Sequence, residues 1–134
     1  MRFKFCFSLA AICVATFALS AWAHHSHGAY TDTFMDIQGV VKEVHLVVPH
    51  SWVYLEVKDA KSGELLVWAL EATGKTGLER VGVTATTVNV GDTVKARCHR
   101  LRDGSNGCLL GFLKAKDGTV KDWDGNSAPA PADF

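Results

Sequence analysis

The sequence carries no surplus of charge of either sign: fourteen Lys and Arg stand against fourteen Asp and Glu. A polyanion is held by clustered cations, so nucleic acid is not an expected partner. Cysteine is scarce. Of the four, Cys6 and Cys13 fall in the leading apolar segment, which leaves Cys98 and Cys108. No internal repeat is evident, and no spacing of serine, histidine and carboxylate suggests a nucleophilic triad. Gly74-Lys75-Thr76 looks like the end of a phosphate loop, but Ala69 stands where that loop requires glycine. A chain of 134 residues has room for one compact domain and not for two.

What is present begins with Arg2 and Lys4, an apolar run over 5–19, and Ala21-Trp22-Ala23 as a small-x-small cleavage site. That is the profile of a signal peptide over 1–23, and it predicts a periplasmic or secreted protein with no membrane contact after cleavage. Two other readings stay open. The run is almost long enough to be a retained anchor. Lipidation at Cys13 fits less well, because Ile12 occupies a place where a lipoprotein signal carries a small residue. In an oxidising compartment Cys98 and Cys108 read as a disulfide, facing each other across a hairpin whose turn is Arg102-Asp103-Gly104-Ser105-Asn106. The alternative for this pair is a thiol metal site with His99.

After a His-rich segment over 24–36, the patterning is that of strands. Residues 37–48 are β-branched and apolar, with Gly39 as a bulge or bend. Pro49-His50 breaks the run. Over 51–58, Val53, Leu55 and Val57 alternate with Trp52, Tyr54 and Glu56. A loop over 59–63 leads to a third strand, 65–71, that is apolar on both faces. Leu78 and Val81 are spaced three apart within 73–82, which suits a short helix ended by Gly82. Strands follow over 93–101 and 108–116, then a short segment over 119–123. The tail over 124–134, with its Ala-Pro-Ala-Pro-Ala, is expected to be disordered. Three meandering strands, a short helix and two more strands predict an all-β fold with one short helix, a small OB-type five-stranded barrel over 37–123. Another small β-barrel or roll would show the same alternation.

The chemistry concentrates in the histidines. Cleavage after Ala23 would set the α-amine of His24 beside the imidazoles of His24, His25 and His27. With the amine near about 7.7–8.0 and imidazole near about 6.5, both are available as neutral nitrogen donors around neutral pH. Amine and side chain of His24 form a six-membered chelate, and a third nitrogen from His50, in the turn between the first two strands, would complete a T-shaped copper site. Zinc or nickel is the alternative. The simple amino-terminal copper motif places histidine at mature position three, which Ser26 holds. His45 and His99 fall on strand faces shared with Glu43 and with Lys95 and Arg97, where solvated surface residues are expected. Trp52, Tyr54 and Trp68 form a candidate ligand face, or else a second small core.

His24-His25-Ser26, the Pro49-His50-Ser51-Trp52 turn and the Arg102–Asn106 turn together resemble a family of small exported bacterial proteins of unknown function. Its members share paired histidines after the signal peptide, an Asn-Pro-His turn followed by an aromatic, and a Lys-Asp-Gly-Ser-Asn type turn. The resemblance implies a small periplasmic β-barrel and brings no activity with it. Val48 stands here in place of the asparagine, His27 in place of an aromatic, and the two cysteines are additions.

Two functions follow. One is a non-enzymatic metal-binding protein, with copper first, that carries or buffers the ion through His24, His25, His27 and His50. The other is an OB-type binding module for a small ligand or another envelope protein, in which the histidines are incidental. A copper mono-oxygenase also uses an amino-terminal brace, but so small a chain offers little surface to hold a polymer.

Overall fold

A computed structural model describes residues 26–134. A single turn of 3-10 helix, Ser26–Ala29, leads into β1 (Tyr30–His45), β2 (His50–Lys58), β3 (Leu65–Thr73), α1 (Lys75–Arg80), β4 (Thr93–Leu101), β5 (Gly107–Lys114) and β6 (Val120–Asp122). β1 starts at Tyr30, well before the expected start at residue 37. Thr31 and Thr33 are β-branched and favour extended backbone. The long strand serves two neighbours: its second half pairs with β2 from Val40↔Glu56 to His45↔Trp52, and its first half pairs with β4 from Tyr30↔Leu101 to Val40↔Thr93. The register shifts between Val41 and Glu43, where the strand passes from one neighbour to the other. Gly39 lies just before this point because a Cβ there would sit 2.6 Å from the Glu56 carbonyl oxygen.

The sheet order is β3-β2-β1-β4-β5-β6, with a further parallel pairing of β3 to β5. Together with α1 between β3 and β4, this is an OB-fold-like topology, mostly β with one short helix. The expected five-stranded barrel is corrected: the architecture is a curled six-stranded sheet. β3 and β5 meet only from Ala69↔Gly107 to Glu71↔Leu109, because the chain over 102–106 turns away and sets no strand beside the first half of β3. β6 then adds to the far edge of β5 from Phe112↔Asp122 to Lys114↔Val120.

The alternation read from the sequence sorts the faces. Val53 and Leu55 on β2, Leu70 on β3, Val94, Ala96 and Cys98 on β4 and Leu110 on β5 turn inward, with Val41, Leu78 and Trp123 closing the core. Trp68 joins this core, with the Arg100 guanidinium 5.3 Å from its ring centre. Cys98 and Cys108 are buried and disulfide-bonded, with Cα atoms 5.7 Å apart. They are diagonal rather than directly opposite, since Cys98 faces Leu110 and Cys108 faces Arg100. Gly82, with φ +79°, ends α1 as expected. The end of the tail returns to the sheet, where Asp133 and Phe134 contact β4 and β5. Among the described residues no helix is long and apolar enough to cross a membrane.

Candidate functional site

The outward residues of the sheet form a row that crosses five strands. Register pairs link His45 on β1 to Trp52 on β2, Trp52 to Glu71 on β3, Glu71 to Leu109 on β5, Leu109 to His99 on β4, and His99 back to Phe34 on β1. A cleft of about 430 Å³ opens along the second half of this row. Tyr30 and Phe34 from β1, His99 from β4 and Leu109 to Phe112 from β5 line its floor and one side, and the segment from Asp122 to Ala128 forms the other. The lining is mainly apolar and aromatic. Among the described residues no lysine or arginine belongs to it, whereas Asp32, Asp122 and Asp124 do.

Each wall has a local cause. The Asp122 carboxylate is buried and accepts hydrogen bonds from the backbone N–H groups of Asp124 at 2.8 Å, Asn126 at 2.9 Å and Ala128 at 2.9 Å. One side chain thus folds the segment after β6 over the sheet. Its charge is spent on those amides. The Asn126 side-chain amide donates to Asp124. The Trp123 backbone N–H donates to the Gly111 carbonyl at 2.7 Å, which ties the segment to β5. Gly111 leaves space for Phe34, because a Cβ on it would lie 3.0 Å from the ring.

Phe34 is 52% exposed and lies over His99, with ring centroids 4.1 Å apart and planes tilted by 31°. Beneath it His99 Nδ1 is buried and has no hydrogen-bond partner among the described residues. A polar nitrogen in that condition costs free energy unless a partner reaches it.

At the other end of the cleft, the Tyr30 hydroxyl donates to Glu71, and His50 Nδ1 lies 3.0 Å from the second carboxylate oxygen of Glu71. Burial, and then the Glu71 carboxylate, push the Tyr30 phenol well above its ordinary pKa, so it remains a donor. The turn that carries His50 is held by the Lys75 N–H on the Val47 carbonyl at 2.9 Å and by the Ser51 hydroxyl on the same oxygen at 3.2 Å.

Trp52 and Tyr54 do share an outward face, stacked with centroids 6.4 Å apart, and His45 meets the edge of Tyr54 at 5.7 Å. Trp68 is on the opposite side of β3 and does not join them. His45, paired with Glu43 at 2.8 Å, is a surface residue as expected. His99, expected to be the same, instead forms part of the cleft. The metal expectation is corrected for the described residues: no group of three or more His, Cys, Asp and Glu stands together among them. His50 faces one carboxylate, and its copper role is not carried further. His24 and His25 lie outside the described residues, as does the side chain of His27. The sequence reading missed Tyr30, Phe34, Glu71 and Asp122. The Thr-rich alternation over 30–36 was the available signal for the first two.

The fold and site define a small OB-fold-like domain with an outward cleft. Over residues 11–110 the chain matches the Family of unknown function (DUF6152), and it belongs to that family. No curated protein matches it in sequence. Among solved structures it is similar to two crystal structures of the mitochondrial single-stranded DNA binding protein Rim1 from S. cerevisiae. Sequence identity is 10%, the TM-scores are 0.47 and 0.45, and 62% of this chain and 92% of that chain are covered.

Proposed function

We propose that the protein is a non-enzymatic binding module of the bacterial envelope and that its cleft takes a small amine with a flat or apolar body. The observation that carries this reading is His99 Nδ1 in the cleft wall, buried and without a hydrogen-bond partner among the described residues, on a ring that packs against the half-exposed Phe34. An apolar cleft with a few convergent polar groups is the usual form of a small-molecule site. The sign of the lining favours a cation: among the described residues Asp32, which Arg102 approaches at 3.3 Å, and Asp124 line the cleft, and no ammonium or guanidinium group does. The exposed ring of Phe34 offers a face to such a head group.

An exported location is supported by the basic start, the apolar run over 5–19 and the Ala21-Trp22-Ala23 site, and it accords with the disulfide. The resemblance in the histidine-rich start and the Pro-His turn belongs to the same reading.

The test is a panel of aromatic amines and matched carboxylates titrated into the isotope-labelled full chain and followed by amide NMR. The amines should shift the signals of Phe34, His99 and Leu109 to Phe112, and the carboxylates should not. Shifts confined to Trp52 and Tyr54, or none with any amine, would contradict the assignment.

A further inference from the structure

The tail of this chain sits on a second built surface, one step along the sheet from the cleft. On the outward face, Asp36 of β1, Arg97 of β4 and Phe112 of β5 follow one another in register. The Asp36 carboxylate holds the Arg97 guanidinium through two bonds, Nε at 2.7 Å and Nη2 at 3.0 Å, and accepts Lys95 Nζ at 2.9 Å. These contacts lie wholly within strands, so the cations are positioned whether or not the tail is there. Arg97, only 14% exposed, still has Nη1 directed outward, and Asp133 accepts from it at 2.7 Å. The Phe134 ring lies among three cations: Lys95 Nζ at 4.7 Å, Arg97 at 5.0 Å and Lys114 Nζ at 5.2 Å from its centre.

Among the described residues, the one backbone hydrogen bond at the tail's end is its own turn, from the Phe134 N–H to the Pro131 carbonyl at 3.2 Å. The Asp122 cradle ends at Ala128, and between it and Asp133 stand only Pro129, Ala130, Pro131 and Ala132. Asp133 is 78% exposed. The contact is therefore that of a two-residue ligand tethered to its own receptor.

We infer that the outward face made by Lys95, Arg97 and Lys114 is a peptide-docking site for a partner segment bearing a carboxylate followed directly by an aromatic ring, and that the chain's own Asp133 and Phe134 occupy it in competition. Arg97 reads the carboxylate and the three cations read the face of the ring. The short Pro-rich tether ends in the turn closed by the Phe134 N–H on the Pro131 carbonyl and keeps the effective concentration of the tethered copy high, so a free segment must compete with it. The site adjoins the cleft at Phe112 but is distinct from it, because the tail touches neither His99 nor Leu109 in any hydrogen bond, ion pair or ring contact described.

The experiment uses a fluorescent Ala-Pro-Ala-Asp-Phe peptide, amidated at its end, and the full-length chain. The D133A/F134A double variant, which keeps every strand residue, should bind the peptide about tenfold or more tightly than the wild type does. Adding K114E, which removes a cation that touches only the ring, should weaken that binding by about tenfold. In the wild type, excess peptide should displace the tethered copy and shift the amide signals of the chain's own Asp133 and Phe134, a readout that does not depend on the variant folding. Equal affinity for wild type and double variant, no shift at saturating peptide, or tighter binding of an oligothymidylate than of the peptide at the same salt would overturn the inference. Shifts that fall in the cleft instead would overturn it while leaving the cleft reading intact.

Discussion

Asp122 shows how much of the cleft depends on one carboxylate. Three backbone amides converge on it, and no other acceptor is described for them. Replacing it with alanine strands those donors at a partly buried site. Asp122→Ala should therefore lower stability by about 2–4 kcal/mol, read as a fall in the urea midpoint. Asp122→Asn keeps one acceptor oxygen and should lose clearly less. Equal losses in both would mean that the carboxylate does not organise the segment. Little of this was legible in the sequence. The sequence reads 119–123 as a short final segment and 124–134 as a disordered tail, and nothing local says that Asp122 collects three amides from up to six positions later. His99 misled for a related reason: its strand neighbours Lys95 and Arg97 are half-buried and charged, and only the distant Phe34 turns a surface position into a covered one.

At the scale of elements, β2 and β4 were the most legible, because their alternation sorts two faces without ambiguity. β1 was the least legible. Its first half is bordered by threonines and acids rather than by a hydrophobic run, and its burial comes from pairing with β4 across a long sequence separation. The barrel expectation failed at an element boundary, where the loop over 102–106 leaves half of β3 without a parallel neighbour. The disulfide at the base of that loop constrains the β4–β5 hairpin over a sequence separation of 10. For so short a loop, chain entropy alone assigns the crosslink about 2–3 kcal/mol. Reduction should lower the melting temperature by that equivalent and broaden the amide signals of β4 and β5 before those of β2. An unchanged melting temperature after complete reduction would show that the core holds the hairpin register unaided.

For the whole molecule, the carboxylates are the acid sensors. The Arg97 hydrogen bonds, and then Lys95, pull Asp36 from 3.8 to about 2. Asp92 is lowered chiefly by Lys116, and Asp59, Asp103 and Asp117 chiefly by hydrogen bonds within their turns. Every one of these shifts has the same sign. Between the ordinary carboxylate range and the lowered folded values, the unfolded chain binds more protons than the folded one, so stability falls as the pH is taken down through that window and is fully present above it. Thermal denaturation should show a plateau above the ordinary carboxylate range and a decline toward pH 2, and Asp36→Asn should flatten part of that decline. A stability that rises on acidification would contradict the ion-pair geometry.

The cleft is the central claim, and Leu109 tests it without disturbing the core, since its side chain is on the outward row between Glu71 and His99. The decisive measurement is the affinity by calorimetry of the tightest-binding aromatic amine for the wild type and for Leu109→Trp, whose larger side chain would fill the cleft. A loss of about tenfold or more at a melting temperature within a few degrees of the wild type is the expected result. Undiminished affinity in the folded variant would place the ligand elsewhere and contradict the account.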